Sequence, residues 1–444
     1  MPVDDVSRAG AASEDTLDVP PSAVVEPSKP RLLRILGPGL ITGASDDDPS
    51  GIATYSQAGA AFGYSLLWSM LFTYPLMAAV QIISARIGRT TGRGIAGNLR
   101  HHYPNWLLQA LVGLLMVANT INIGADLGAM ADATRLLAGG HQILWVALFA
   151  LVCVAMQVLL QYQRYVSVLK WLAAALLAYV ATLFFIHISW GQVAKRLISP
   201  GLSWSPAYLT ALVAIFGTTI SPYLFFWQAS QEVEDIHERP RRQPLTRASD
   251  QGAAAISRIQ ADTMIGMALS NIIALAIMIA AAAAFAKSGP VTIESSAQAA
   301  AALRPVAGQF AFALFALGIV GTGFLAVPVL AGSAAYAVGE ARRWPTGLNR
   351  RPLEARAFYA TIVMATLVGM ALNFAPINPM QALFWSAVIN GVVAVPVMTA
   401  MMLMARRRDI MGEWVIGGWL QLLGWLASAT LAVSVVASLI LVVM

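Results

Sequence analysis

Gly37-Pro38-Gly39-Leu40-Ile41-Thr42-Gly43-Ala44-Ser45-Asp46-Asp47-Asp48-Pro49-Ser50-Gly51-Ile52-Ala53-Thr54 sets three consecutive aspartates in the middle of an apolar run. A carboxylate at a bilayer centre costs about 3 kcal/mol on insertion scales. Three would abolish insertion unless they face a hydrated cavity or a cation. Pro49 lacks an N–H and disfavours helix at Asp48. Gly51 tolerates irregular backbone. The run is therefore predicted to unwind here, and unwound backbone at membrane depth is tolerated only where it lines a site. Carboxylate together with free carbonyl oxygen suits a hard cation.

The rest of the chain places that run in a bilayer. Of its 444 residues, 58% are hydrophobic and 11% charged, and the mean hydropathy is +0.68. Soluble domains carry roughly 25% charged residues. Apolar stretches of spanning length recur at about 35–60, 65–87, 105–128, 142–161, 166–188, 208–231, 255–286, 306–338, 356–373, 378–404 and 415–443. With these eleven spans and an internal N-terminus, 23 of the 28 lysines and arginines fall on the inside and five on the outside. Such a bias orients the chain with its N-terminus cytoplasmic and its C-terminus outside. A loop at Asp46–Asp48 would invert every later segment and destroy the bias.

Residues 1–30 are rich in Pro, Ser, Asp, Glu and Val and read as a disordered cytoplasmic tail, not a signal peptide. The net charge of +6 reads as arginine-rich inner loops, and nucleic acid is not an expected partner. Cys153 stands alone, so neither a disulfide nor a thiolate metal site can form within the chain. His101, His102, His141, His187 and His237 lack metal-ligand spacing and read as loop or interface residues. There is no nucleophile–base pair, nucleotide loop or hydrolase motif, so an enzyme is not expected, nor a cofactor.

A second interruption occurs at Phe216-Gly217-Thr218-Thr219-Ile220-Ser221-Pro222-Tyr223, in the sixth span. Pro49 and Pro222 are 173 residues and five spans apart. An odd number of spans between similar elements gives them opposite orientation. Paired interruptions in two inverted halves point to a midplane transport site.

The first stretch, continued by Gln57-Ala58-Gly59-Ala60 and Phe62-Gly63-Tyr64, resembles the first helix of the NRAMP divalent-metal transporters. The resemblance runs from about residue 31 to the end. It implies an all-α membrane protein with a five-plus-five inverted repeat, discontinuous first and sixth helices and an eleventh C-terminal helix. The transport domain is then 31–444, with repeats at about 35–188 and 208–404 and the extra helix at about 415–443. The departures from the family pattern are informative. Asp48 keeps the aspartate of the family's Asp-Pro-Gly-Asn, but Gly51 stands in place of the asparagine. The Met-Pro-His signature reads Ser221-Pro222-Tyr223, a second histidine corresponds to Gln228, and Asp-Leu-Ala-Glu reads Asp126-Leu127-Gly128-Ala129.

A thioether favours later transition metals, whereas serine leaves oxygen ligands only. Loss of the asparagine and methionine side chains is also expected to widen the cavity, which suits a partly hydrated Mg²⁺. The pattern resembles the prokaryotic NRAMP-related magnesium transporters, and the missing histidines and third-span acid argue against proton coupling. The expected activity is uptake of Mg²⁺, and of Mn²⁺, across a bacterial inner membrane by a monomer. The alternatives are proton-coupled Mn²⁺ or Fe²⁺ symport, and an amino-acid carrier of the same fold.

The expected metal ligands are Asp48, the carbonyls of Gly51 and Thr218, and the hydroxyl of Ser221. Asp46, Asp47, Tyr223 and Gln228 are expected around them or along the pathway. Asn119, Asn122 and Asp126 share one face of the third span and either line the pathway or hold helices together. Asn271 and Asn390 read as interhelical glue. The run Gln231-Glu232-Val233-Glu234-Asp235 reads as a solvated helix end, with drawing cations to the inner mouth as the alternative, and the arginines over 239–247 as a topogenic loop, with contact to anionic lipid as the alternative.

Overall fold

In the computed structural model, residues 42–43, 45–159, 176–238, 241–286, 289–304 and 308–443 are described. The expected tail over 1–30 and residues 166–175 of the expected fifth span lie outside them. The described helices are α1 (Pro49–Phe62), α2 (Leu67–Thr91), α3 (Ile95–His102), α4 (Asn105–Ala138) and α5 (Gln142–Leu159). There follow α6 (Leu177–Thr182), α7 (Trp190–Ile198), α8 (Pro206–Thr219), α9 (Pro222–Glu238), α10 (Gly252–Phe285) and α11 (Ser296–Ala301). The last are α12 (Ala311–Arg342), α13 (Arg356–Leu372), α14 (Pro379–Ala405), α15 (Arg408–Met411) and α16 (Gly418–Val443). Eight helical segments among the described residues are long and apolar enough to cross a membrane, and α13 is a shorter apolar helix.

Proline and side-chain caps set where several helices begin. Pro49, Pro206 and Pro379 occupy the first turns of α1, α8 and α14, where a missing N–H costs nothing. Asp48, Ser205 and Asn378 cap the same helices through their side chains. The breaks follow. The helical stretch that includes Thr42, Gly43, Ser45 and Asp46 ends at a bend at Asp47, and α1 starts at Pro49. Helix α8 ends at Thr219 and α9 starts at Pro222. The first and sixth spans are thus discontinuous, as expected for two five-span halves, and α16 supplies the additional helix.

The broken elements occupy the middle of the bundle. In the most apolar window of the α8–α9 pair 94% of residues are buried, against 28% for α5, whose Leu144, Leu148 and Leu151 are exposed on an apolar outer face. Helix α1 packs on α10, α14 and α8, while α4 is held between α12, α14, α13 and α5. Helices α2 and α9 run parallel. Ser84 of α2 donates to the carbonyl of Phe225, and one turn on, Gly88 abuts the carbonyl of Ala229.

The acidic run at the end of α9 is not a solvated helix end. Glu232 is fully buried and pairs with Arg258 of α10, while Asp235 pairs with Arg242 of the following loop. Countercharges from distant segments meet this end and remove it from water. The five histidines are exposed or half-buried; His101 and His102 end α3 and His237 lies in the last turn of α9, so these three are helix-end and not loop residues.

Candidate functional site

Asp48 is the N-cap of α1. Its Oδ1 accepts from the Gly51 amide at 2.7 Å and from the Ser50 hydroxyl at 2.6 Å. This capture of the first free N–H groups fixes the start of the helix at Pro49. It also corrects the expectation for Gly51, which lies inside the first turn, so its carbonyl does not stand free in an unwound segment. Before the break, the Ser45 carbonyl accepts from the Tyr223 hydroxyl at 3.1 Å. The space beside Gly51 is not vacant either. A Cβ there would stand 3.1 Å from Thr218 Oγ1 and 3.3 Å from Tyr55 Cε2, so neighbouring side chains take up the room expected from the missing asparagine.

At the second break the Ser221 hydroxyl turns back onto α8, 2.8 Å from the carbonyls of both Gly217 and Thr218. It thereby serves the Thr218 carbonyl, which the missing N–H of Pro222 leaves open. The Thr218 carbonyl, an expected ligand, is therefore a hydrogen-bond acceptor here. Gly217 permits a close crossing with α14, for a Cβ on it would lie 2.0 Å from the Ala387 carbonyl and 2.5 Å from the Gly391 amide.

That crossing brings Asn390 into the centre. Its Nδ2 donates to Asn122 Oδ1 at 3.2 Å, while Asn122 Nδ2 lies 3.1 Å from Asp48 Oδ2 and 3.3 Å from Asp126 Oδ2. Asn390, read as glue from the sequence, thus belongs to the same network as Asp48. Asn119, on the same face of α4, turns elsewhere and donates to the Leu330 carbonyl and Ser333 hydroxyl of α12. Asn271 ties α10 to α2 through the Met70 carbonyl. Gln228 accepts from the Thr42 hydroxyl, which links α9 to the segment before the first break.

Asp46 and Asp47 converge on one residue that the sequence did not single out. Ser270 Oγ lies 2.6 Å from Asp46 Oδ2 and 3.2 Å from Asp47 Oδ1. A lone serine in an apolar helix carries no sequence signal, and its position depends on Gly43 passing α10. A Cβ on Gly43 would stand 2.4 Å from the Gly266 backbone.

Asp46, Asp47, Asp48 and Asp126 are all at most 3% exposed. Among the described residues no lysine or arginine pairs with any of them. Asp46 Oδ1 and Asp126 Oδ1 have no hydrogen-bond partner. Buried carboxylates of this kind require protons or a cation. No three His, Cys, Asp or Glu side chains gather as a metal cluster among the described residues. The residues bonded to one another here offer a cation carboxylate and amide oxygens.

The family model described as natural resistance-associated macrophage protein-like (Nramp) matches residues 39–443. The divalent metal cation transporter MntH of Pectobacterium carotovorum subsp. carotovorum (strain PC1) is 27% identical over 421 residues, covering 92% of this chain and 95% of its own. The crystal structure of the Eremococcus coleocola manganese transporter, in complex with an aromatic bis-isothiourea substituted compound, superposes with a TM-score of 0.71. Its identity is 19%, with 96% of this chain and 90% of that chain covered. Mhp1, a nucleobase-cation-symport-1 family transporter in a closed conformation, aligns at a TM-score of 0.56 and 15% identity, over 90% and 91% of the two chains. The last two likenesses concern the fold, whereas the family match spans nearly the whole chain: the protein belongs to the Nramp family.

Proposed function

We propose that this protein is a secondary transporter for divalent metal, taking up Mg²⁺ and also Mn²⁺ without proton symport. The observation that carries the reading is the buried group of Asp48, Asn122, Asp126 and Asn390 at the two helix breaks, which offers oxygen and no soft donor. Hard oxygen ligands with retained water suit Mg²⁺, and the lack of a thioether removes a preference for later transition metals. Asp48 would hold the ion directly or through water. Ser221 and the Thr218 carbonyl would join once their mutual hydrogen bond opens. Asp46 and Asp47 would attract the ion or stand behind the first ligands. The kinship to a protein named a divalent metal cation transporter supports the substrate class. With the N-terminus inside, as the arginine bias reads, the membrane potential drives uptake by about 2.3 kcal/mol per charge per 100 mV.

One observation favours a second reading, proton-coupled Mn²⁺ transport. Asp126 is a buried carboxylate next to Asn122 with one oxygen unpartnered, and could carry a proton. Uptake into liposomes holding the purified protein, with a pH dye in the same vesicles, separates the two. Mg²⁺ uptake without acidification supports the first. Mn²⁺ uptake with acidification and no Mg²⁺ transport replaces it with the second.

A further inference from the structure

A cavity of about 530 Å³ opens on the arginine-rich face of the bundle, well apart from Asp48. The end of α2, helix α3, the end of α9, the loop at 244–247 and α15 enclose it. Arg93, Arg247, His102 and His237 line it, with Asp409 as the one acidic side chain among the described residues. Asp409 is already neutralised, since Arg407 donates to both its oxygens, at 3.0 and 2.5 Å. Arg93 and Arg247 form no ion pair among the described residues. The positive excess is felt nearby: burial first, then Arg93, Arg100, His102 and Arg343, hold the His101 imidazole below its usual range.

A second feature of the wall is independent of charge. Asn98 is 1% exposed and lines the cavity. Its Nδ2 is used by the Thr91 hydroxyl and the carbonyls of Arg93 and Gly94, but its Oδ1 has no partner. The three Nδ2 bonds brace the 91–94 turn, which carries Arg93. The loop wall is held in place, because Leu245 and Thr246 donate their amides to the Arg89 and Thr90 carbonyls.

We propose that this cavity binds a phosphate-bearing ligand, its phosphate held between Arg93 and Arg247. Guanidinium groups match phosphate geometry better than any other side chain. The cavity is within the size range of small-molecule sites. Its occupant would tie the end of α9, the helix that starts at the second break, to α2 and α15. It would thereby hold this face of the bundle closed. The phosphate could belong to a soluble nucleotide or to an anionic lipid headgroup.

Thermal unfolding of the purified full-length protein separates the sources. One arm uses uncharged detergent without divalent metal and adds ATP or inorganic phosphate. The other uses phosphatidylcholine nanodiscs with or without phosphatidylglycerol. Stabilisation by ATP or phosphate identifies a soluble ligand; stabilisation by phosphatidylglycerol alone identifies a headgroup. In either case the Arg93→Gln/Arg247→Gln variant should bind about a hundredfold more weakly, roughly tenfold for each guanidinium–phosphate interaction removed. The Arg93→Lys/Arg247→Lys variant should keep most of the binding and shows that the fold survives. Stabilisation by none of the three probes, or equal stabilisation of the glutamine variant, overturns the proposal.

Discussion

Asn122 meets Asp48 across the first helix break, its amide 3.1 Å from Oδ2, while the backbone amide of Gly51 takes Oδ1 at 2.7 Å. The aspartate therefore has two duties. One oxygen starts a helix, and the other faces the polar centre shared by α4 and α14.

Those duties can be separated. Asparagine caps helices as well as aspartate does, whereas alanine costs about 1 kcal/mol. Asp48→Asn is expected to leave thermal stability within about 1 kcal/mol of the parent and to abolish metal uptake. Asp48→Ala should lose both. Normal uptake by the asparagine variant in liposomes would remove Asp48 from the metal site.

Ser221→Met introduces a soft ligand beside Pro222 and removes the hydroxyl that serves the Gly217 and Thr218 carbonyls. Loss of that bond should cost about 1 kcal/mol, and Ser221→Ala measures it alone. The methionine variant is expected to favour Mn²⁺ or Cd²⁺ over Mg²⁺ in competition uptake. Unchanged selectivity would show that ligand softness at this position does not set it.

The crossing of α8 and α14 tolerates no side chain at Gly217. A methyl group there would meet backbone of α14, which cannot yield as a flexible side chain can. Gly217→Ala should destabilise by about 2 kcal/mol and displace Asn390, lowering uptake as well. A thermal-shift assay in detergent checks the first effect. An unaltered melting temperature contradicts the close crossing.

At the other end of α9, Arg258→Ala leaves Glu232 buried without its partner. Such a loss costs about 3–5 kcal/mol. Adding Glu232→Gln removes the stranded charge, so the double variant should be more stable than Arg258→Ala alone. Equal or lower stability of the double variant would mean that Glu232 is not held by Arg258.

The first break was legible because three acids and a proline interrupt an apolar run. Its register was not, since the cap formed by the Asp48 side chain starts the helix at Pro49 and draws Gly51 into a regular turn. Asn122 was legible as a polar face of the third span. Asn390 was not, because its partner is set by the contact of Gly217 with Gly391, 174 positions from one another in the chain. Ser270 reaches the aspartates through a similar passage of Gly43 against Gly266. The acidic end of α9 misled for the same reason: its partners, Arg242 and Arg258, come from beyond the helix. Local sequence carries backbone breaks well and carries poorly what only close helix crossings bring together.

The cap on Asp48 also limits how it can grip. With α1 intact, a cation held by this carboxylate has only Oδ2, which it shares with the Asn122 amide, since Oδ1 is engaged by two donors. Ions that prefer to straddle a carboxylate, as Ca²⁺ often does, would have to unpick the first turn of a central helix. An ion content with a single oxygen and a retained shell of water would not. Selectivity against larger divalent ions would then reside in the denticity that helix capping permits.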